Sequence, residues 1–340
     1  MSQYDQIPEA LFRRKTEKVS TQDVSFDTPA LTFLQDAVRR LKKNKVAVVC
    51  MVILIVIILA AYAAPILAPY DPNLQNIPYA NLPIKIPGIH IHGLDGYSNL
   101  GGVWFDKYAS AGVPEGTYFI FGTDEFGRDL FSRALYGTRI SLTIAFLAAF
   151  LDLTIGLVYG LVAGLKGGKV DNIMMRMIEI LSGVPNLVIV VLMIVILQPG
   201  MTSILVAMVI SSWISMARIV RAQTLKIKNL EYVSAARVLG ASDVKIAFSH
   251  ILPNIGGIVI VRTMFSIPSA IFFETFLSFI GVGMKIPNAS IGTLLNSGYK
   301  VFRIYPYQMW IPALIICVIM LAFNLFADGL RDAFDPKMKD

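Results

Sequence analysis

Asn229 to Asn254 reads NLEYVSAARVLGASDVKIAFSHILPN and is the polar interruption around which the rest of the chain is organised. Its first half is punctuated as a helix at both ends. Asn229 is an N-cap residue type, Glu231 places negative charge in the first turn, and Gly240 stands where a left-handed C-cap is needed. The spacing predicts a helix of about ten residues in which Tyr232, Ala235, Ala236 and Leu239 share one apolar face, while Glu231, Ser234 and Arg237 point elsewhere. A second short helix starts with Ser242 or Asp243 as its cap, carries Val244, Ala247, Phe248 and Ile251 on one stripe, and stops at Pro253. Two amphipathic helices hinged at a glycine each require a covering surface. Amphipathicity does not say whether that surface is this chain's own membrane domain or another protein.

The surroundings are built for lipid. Of 340 residues, 55% are hydrophobic and 16% charged, and the mean hydropathy is +0.64. An ordinary soluble domain carries far more charge, so the composition predicts an all-α polytopic membrane protein. A net charge of +7 suggests nucleic acid in a soluble protein, but in a membrane protein it bears on orientation, and no nucleic-acid partner is expected. Cys50 and Cys317 fall inside apolar runs and give no disulfide framework or metal spacing.

In chain order, residues 1–27 read as a flexible cytoplasmic tail. Residues 28–45 read as an amphipathic helix, with Thr28 and Pro29 as N-cap and first helical position, and Leu31, Leu34, Val38 and Leu41 in a stripe. Its basic end, Arg39, Arg40, Lys42, Lys43 and Lys45, belongs on the anionic inner leaflet of the lipid bilayer. Residues 46–69 hold the first transmembrane helix, whose apolar run Val46–Ala64 matches the about 20 residues a bilayer requires. Ala61-Tyr62-Ala63 resembles a signal-cleavage site, yet the long segment before the run argues against a cleaved leader. Residues 70–138, broken by prolines, form an extracytoplasmic loop. Residues 139–330 carry five further helices, at about 141–164, 173–197, 201–217, 257–282 and 308–327, with a cytoplasmic loop over 222–256; residues 331–340 are a cytoplasmic tail. With the N-terminus inside, the inner segments hold eighteen Lys and Arg against eight outside, which places both termini and the Asn229 segment in the cytoplasm.

Four motifs carry a family resemblance. Glu231, Ala235, Ala236, Gly240 and Ile251-Leu252-Pro253 resemble the EAA loop of the membrane subunits of bacterial ABC importers. The fuller spelling, EYVSAARVLGAS followed by HILPN, is similar to the oligopeptide/dipeptide (and nickel) permease branch. Phe121–Leu142, FGTDEFGRDLFSRALYGTRISL, resembles the signature before the second span of those permeases. FLSFIGVGMKIP (Phe276–Pro287) with Ser290 and Gly292, and NLFADGLRDAFDP (Asn324–Pro336), resemble their last two signatures, so the likeness runs over residues 31–340. Two departures stand out: Ile291 replaces a common tryptophan, and the outer loop around Ile77–Tyr118 is longer and richer in aromatics. The second marks either contact with a substrate-binding protein or a tolerated surface insertion.

The resemblance implies a type I ABC importer permease fold with six transmembrane helices in a bacterial cytoplasmic (inner) membrane. It implies a second homologous permease subunit, two cytoplasmic ATPase subunits and an extracytoplasmic substrate-binding protein as partners, and oligopeptides or dipeptides as cargo, with nickel or another small solute as the alternative. It implies no enzyme activity and no cofactor bound by this chain, ATP and Mg being used by the partner ATPases. Glu231, Tyr232, Ala235, Ala236, Gly240, Phe248 and Pro253 are the residues it assigns to ATPase coupling. A stand-alone channel or secondary carrier would also explain six spans, but leaves the two-helix segment without purpose. An intramembrane hydrolase would need converging catalytic groups, and the spans carry no paired Asp, Ser-His or HExxH arrangement.

Inside the spans, Ala148, Asp152, Gly156, Gly160 and Gly164 recur every four residues, a small-residue ridge bearing one carboxylate. Asp152 either lines a translocation path or ties helices together, and the same two readings hold for Glu274 in the fifth span. Arg176 and Glu179, three apart, are placed to pair. His90 and His92 form an H-x-H in the outer loop with no third ligand nearby, so solvated loop histidines are the default over a metal site. The run GLKGGKV at Gly164–Val170 superficially suggests a phosphate loop; Ala163 at the first glycine position and Val170 in place of Ser/Thr exclude it.

Overall fold

The computed structural model describes residues 33–91, 93–100, 102–284 and 287–335. The expected tail 1–27, the Thr28-Pro29 helix start, His92 and the last basic residues Lys337 and Lys339 lie outside them.

Helix α1 (Phe33–Lys43) ends at Asn44, whose side-chain oxygen accepts from Ala47 N at 3.1 Å and so caps α2 (Lys45–Tyr62). Eighteen residues at 1.5 Å each give α2 about 27 Å, close to the hydrocarbon thickness of a bilayer. The chain then breaks at Ala63, makes a single turn, α3 (Ala64–Leu67), and enters the outer segment. This segment departs from the all-α expectation. Tyr97–Leu100 (β1) and Val103–Asp106 (β2) pair antiparallel, the Asn99 side chain accepting from Gly102 N at 2.9 Å at the turn. Asp106 next caps a short α4 (Lys107–Ser110), and Leu82, Tyr108 and Phe119 form a separate buried cluster beneath.

Helix α5 spans Leu130–Lys166, so the outer loop ends at residue 129 and not at 138. The start is set by Asp129, whose carboxylate accepts from Ser132 N at 2.8 Å and from Ser132 Oγ at 2.6 Å. At 37 residues α5 is about 55 Å long, well beyond a bilayer core, and it therefore reaches past both faces. A two-glycine turn at Gly167 and Gly168, both at positive φ, leads into α6 (Gly168–Ser182), which accounts for the glycines that imitated a phosphate loop. The span expected over 173–197 is two helices, α6 and α7 (Asn186–Leu197), bent by 79°. Pro185 explains the break, since it lacks an N–H and disfavours helical backbone at Val184.

Helices α8 (Met201–Ser211) and α9 (Trp213–Ile227) form one long run that continues beyond the expected residue 217. After α10 (Glu231–Val238) and α11 (Asp243–Ile246) come α12 (Leu252–Phe279), α13 (Ile291–Val301) and α14 (Tyr307–Phe334), the last running past 330. Among the described residues five helices are long and apolar enough to cross a membrane, and six if the bent pair α6–α7 is one span.

The most extensive helix contact is between α5 and α9, and it is close. A Cβ placed on Gly156 would lie 2.6 Å from Met216 Cβ, one on Gly160 2.6 Å from the Ala217 carbonyl, and one on Gly164 2.6 Å from Thr224 Cβ. The glycine ridge thus lets two backbones approach where lipid supplies no hydrophobic driving force and close contact is the main attraction.

Candidate coupling surface and interior cavity

The hairpin at 229–254, expected on the inner side, is held by its base and leaves its tip uncovered. Its helix α10 begins one residue later than expected, because Asn229 does not cap it: the Asn229 amide donates back to Leu225 O at 3.2 Å, finishing α9, and Leu230 takes the N-cap position without a side-chain bond. The other end follows the sequence reading. Gly240 has φ +85°, its N–H donates to Arg237 O at 3.0 Å and that of Ala241 to Ala236 O at 3.0 Å, the two-bond glycine termination of a helix. Ser242 then caps α11 through Lys245 N.

Pro253 does not stop the second helix. Residues Ala247–Ile251 form a π turn, with Leu252 N donating five residues back to Ala247 O, and α12 continues from it. The wider turn absorbs the donor that Pro253 lacks and relieves the clash its ring would make in an α-helical register. The interruption therefore becomes the root of a span, and the hairpin is rigidly continuous with α12.

Its apolar residues divide differently from the expected stripes. Val233, Ile246, Ala247 and Ile251 are buried against Val220, Ile227 and Ile255. Val238, Leu239, Val244 and Phe248 are 88%, 87%, 67% and 68% exposed, and Tyr232 is partly so. Of the expected coupling residues, Glu231, Tyr232, Ala235, Gly240, Phe248 and Pro253 lie on the exposed side, whereas Ala236 is half-buried. Four further ties hold the base: Asp243 pairs with Lys166 at 3.1 Å and with Arg237 at 3.6 Å, Lys228 Nζ donates to Gly164 O at 2.6 Å, and Asn254 Nδ2 donates to Tyr232 Oη at 3.2 Å. Two of these reach the inner end of α5.

The two intramembrane acids have different surroundings. Glu274 is fully buried and accepts from Ser141 Oγ at 2.7 Å and from Ser278 Oγ at 2.8 Å; Ser141 Oγ in turn accepts from Ile291 N at 3.3 Å. It ties α5, α12 and α13 together through these bonds. Asp152 is 2% exposed and lines a cavity of about 210 Å³ shared with Asn186, Ser211, Ser212, Arg262, Ser266 and Ser269. Its Oδ1 has no hydrogen-bond partner. Arg176 pairs with Glu179 at 2.6 Å on the surface, as their spacing suggests, and Asp171 receives a two-point contact from Arg221 that joins α6 to α9.

At the opposite end, the Gly-Thr-Asp turn before α5 is a buried polar joint. Asp124 accepts from Arg128 Nε at 2.7 Å and pairs with Arg133 Nε at 3.5 Å, and Arg133 donates to Pro72 O at 2.9 Å. Burial pushes the Asp129 carboxyl up from its ordinary value, against the lowering effect of its Ser132 donors. The Tyr307 hydroxyl lies 2.9 Å from Leu82 O, and Gln308 donates to Asn81 Oδ1 at 2.8 Å, pinning the outer unit to α14.

Residues 156–340 match the family model described as the inner membrane component of binding-protein-dependent transport systems, and residues 32–83 match that of the N-terminal transmembrane domain of oligopeptide transport permease C. The chain belongs to the binding-protein-dependent transport permeases. Among its relatives, the permease is 43% identical to the dipeptide transport system permease protein DppC of Lactococcus lactis, over 92% of this chain and 93% of that one. It is 39% identical to the oligopeptide transport system permease protein OppC of Bacillus subtilis, over 91% and 92%. Over 61% of this chain the fold is similar to that of a chain of the inward-facing MetNI methionine ABC transporter, 98% of which is covered, at TM-score 0.50 and 18% identity.

The permease is thus a multi-pass protein of the inner membrane and a transporter subunit. Sequence reasoning missed Arg262, which lines the same cavity as the expected Asp152 and was hidden as one cation in an apolar run. It also missed Asp243 as the clamp of the hairpin, having read it only as a cap. The signal for Arg262 was available: an arginine in the middle of a span requires a partner or a water-filled space.

Proposed function

We propose that this permease forms half of the translocation pathway of an ATP-driven importer of oligopeptides or dipeptides, completed by a second homologous permease chain, two cytoplasmic ATPase subunits and an extracytoplasmic binding protein. ATP and Mg are used by the ATPases. Both termini and the Asn229–Asn254 hairpin face the cytoplasm, in keeping with the excess of Lys and Arg on that side.

One observation carries the coupling role: an apolar tip of Val238, Leu239, Val244 and Phe248 left uncovered on a base fixed by ion pairs and hydrogen bonds. A rigid, apolar knob is suited to a groove on another protein. Motion of that protein passes to α12 through the continuous π turn and to α5 through Lys166 and Gly164. Because α5 extends to the Asp124–Arg133 joint, one helix spans from the hairpin to the outer unit.

The test is affinity purification of the tagged chain in mild detergent, followed by identification of its companions and assay of ATP hydrolysis. Recovery of a second permease and ATPases, with hydrolysis stimulated by a peptide-loaded binding protein, is the expected result. An ATPase-free homo-oligomer would overturn the reading, and stimulation by nickel but not by peptides would overturn its cargo.

A further inference from the structure

The cavity beside Asp152 holds an unusual concentration of unmet polar groups. Three buried atoms without hydrogen-bond partners, Asp152 Oδ1, Ser212 Oγ and Arg262 Nε, belong to residues that line it. Arg262 is anchored from one side only, donating to Ser215 Oγ at 2.9 Å, and it does not close on the aspartate. Arg262 acts on Asp152 electrostatically without an ion pair between them, and Ser266 is hydrogen-bonded to the carboxylate, so each charge is met in part within the chain and the remainder is costly in a span unless something polar lies between them.

The kind of occupant follows from the charges. A metal or other simple cation would satisfy Asp152 and be repelled by Arg262, and a simple anion would do the reverse. A neutral solute would add no charge to complete either group. Among the described residues there is also no cluster of three His, Cys, Asp or Glu suited to a metal ion. A molecule bearing one ammonium and one carboxylate meets both charges at once. At about 210 Å³ the space equals roughly seven water volumes and falls short of a drug-sized pocket. It suits a dipeptide-sized zwitterion.

We propose that this cavity is an intramembrane binding station for the free termini of a peptide, with Asp152 receiving the α-ammonium group and Arg262 the α-carboxylate. The hydroxyls of Ser212, Ser266 and Ser269 and the Asn186 amide line the space between. The station rests on the peptide-import reading and adds to it a site within this chain, separate from selection by a binding protein.

The experiment is uptake into proteoliposomes holding the whole transporter and its binding protein. Three substrates are compared: a free dipeptide, its N-acetyl form and its C-terminal amide. Because the binding protein is the same throughout, the change in substrate ratio between wild type and variant reports the permease. Asp152→Asn is expected to cut the preference for the free dipeptide over the N-acetyl form by about tenfold, leaving the preference over the amide intact. Arg262→Gln is expected to do the opposite, and Asp152→Glu to keep the wild-type ratios. Import of all three substrates reduced by one common factor, or ratios unchanged in both variants, would overturn the station while leaving peptide import standing. A wild type that imports none of the three overturns the import reading itself. Should Asp152→Asn fail to assemble, the ratios of Arg262→Gln decide the matter by the same criterion.

Discussion

The outer unit and the inner hairpin are both polar insertions between spans, and they dispose of their apolar side chains in opposite ways. The outer unit closes on itself. Leu82, Tyr108 and Phe119 are buried together, Tyr70 stacks on Phe119 with ring centroids 4.9 Å apart, and Tyr307 and Gln308 bolt the unit to α14. Around that core the unit still exposes apolar residues, Leu74, Ile77, Ile91, Val103 and Trp104 among them, but these are scattered over its loops and strand tip. The hairpin buries one side, Val233 and Ile246, and turns Val238, Leu239 and Phe248 outward. Apolar area left in water is unfavourable by about 25 cal/mol per Å². Under the proposed coupling role a partner covers that area, whereas the outer unit has a buried core of its own.

The comparison can be broken most severely at Gly240. Gly240→Pro removes the N–H that donates to Arg237 O and cannot adopt φ +85°, so the two helices lose their angle. ATP-dependent uptake is expected to vanish while the protein stays in the membrane, and persistence of transport-coupled ATP hydrolysis would sink the coupling role. Leu239→Asp comes next: the side chain is 87% exposed, so stability should change by less than about 0.5 kcal/mol. Placed against an apolar groove the charge costs several kcal/mol, giving about a hundredfold weaker ATPase association. Equal recovery of ATPase on purification would refute the exposed tip as the docking surface.

On the outer side the expected effects reverse. Leu82→Ala, at a fully buried position, should destabilise the outer unit by about 2–5 kcal/mol, measured as easier protease cleavage of residues 70–129, without loss of ATPase association. Loss of the ATPase in that variant would show that the two regions are not separable. Asp243→Asn removes two partly exposed ion pairs with Lys166 and Arg237. Such pairs contribute about 0–1 kcal/mol, so coupling efficiency should fall slightly and the deficit should shrink in high salt.

The smallest effect concerns Tyr108. Burial pushes its phenol above the ordinary value, so the folded unit keeps the proton where an unfolded chain releases it. Its stabilising contribution is complete below about pH 10 and is lost as pH rises beyond that. Thermal unfolding of Tyr108→Phe should show a shallower decline between about pH 9 and pH 11 than wild type, and identical slopes would argue against the effect.

Much of this was legible in the residues themselves, and the failures have identifiable causes. Gly240 was readable because a positive φ nearly requires glycine, and the Gly156–Gly164 ridge because its spacing of four is a property of the helix alone. Pro253 misled because proline ends a helix only when no wider turn takes up the register, and Asn229 because a capping side chain can serve the helix behind it as well as the one ahead. The expected stripe Val244, Ala247, Phe248 and Ile251 divides into an exposed pair, Val244 and Phe248, and a buried pair, Ala247 and Ile251, because the buried face is centred on Ile246, Ala247 and Ile251. The β1–β2 hairpin escaped notice since each strand has four residues and neither alternates cleanly.

By itself the sequence determined that the chain lives in a membrane, where the middles of its spanning helices lie though not all of their ends, and that the polar segment at 229–254 is a pair of helices hinged at a glycine. These properties depend on composition and on spacings within a few residues, which short-range physics sets. The tertiary structure alone decided which side of that pair is left uncovered, that Glu274 is satisfied by Ser141 and Ser278, and that Asp152 shares a cavity with Arg262. Asp152 and Arg262 stand 110 positions apart in the chain. Burial and pairing over such separations follow from how α5, α9 and α12 pack, and no local pattern encodes that.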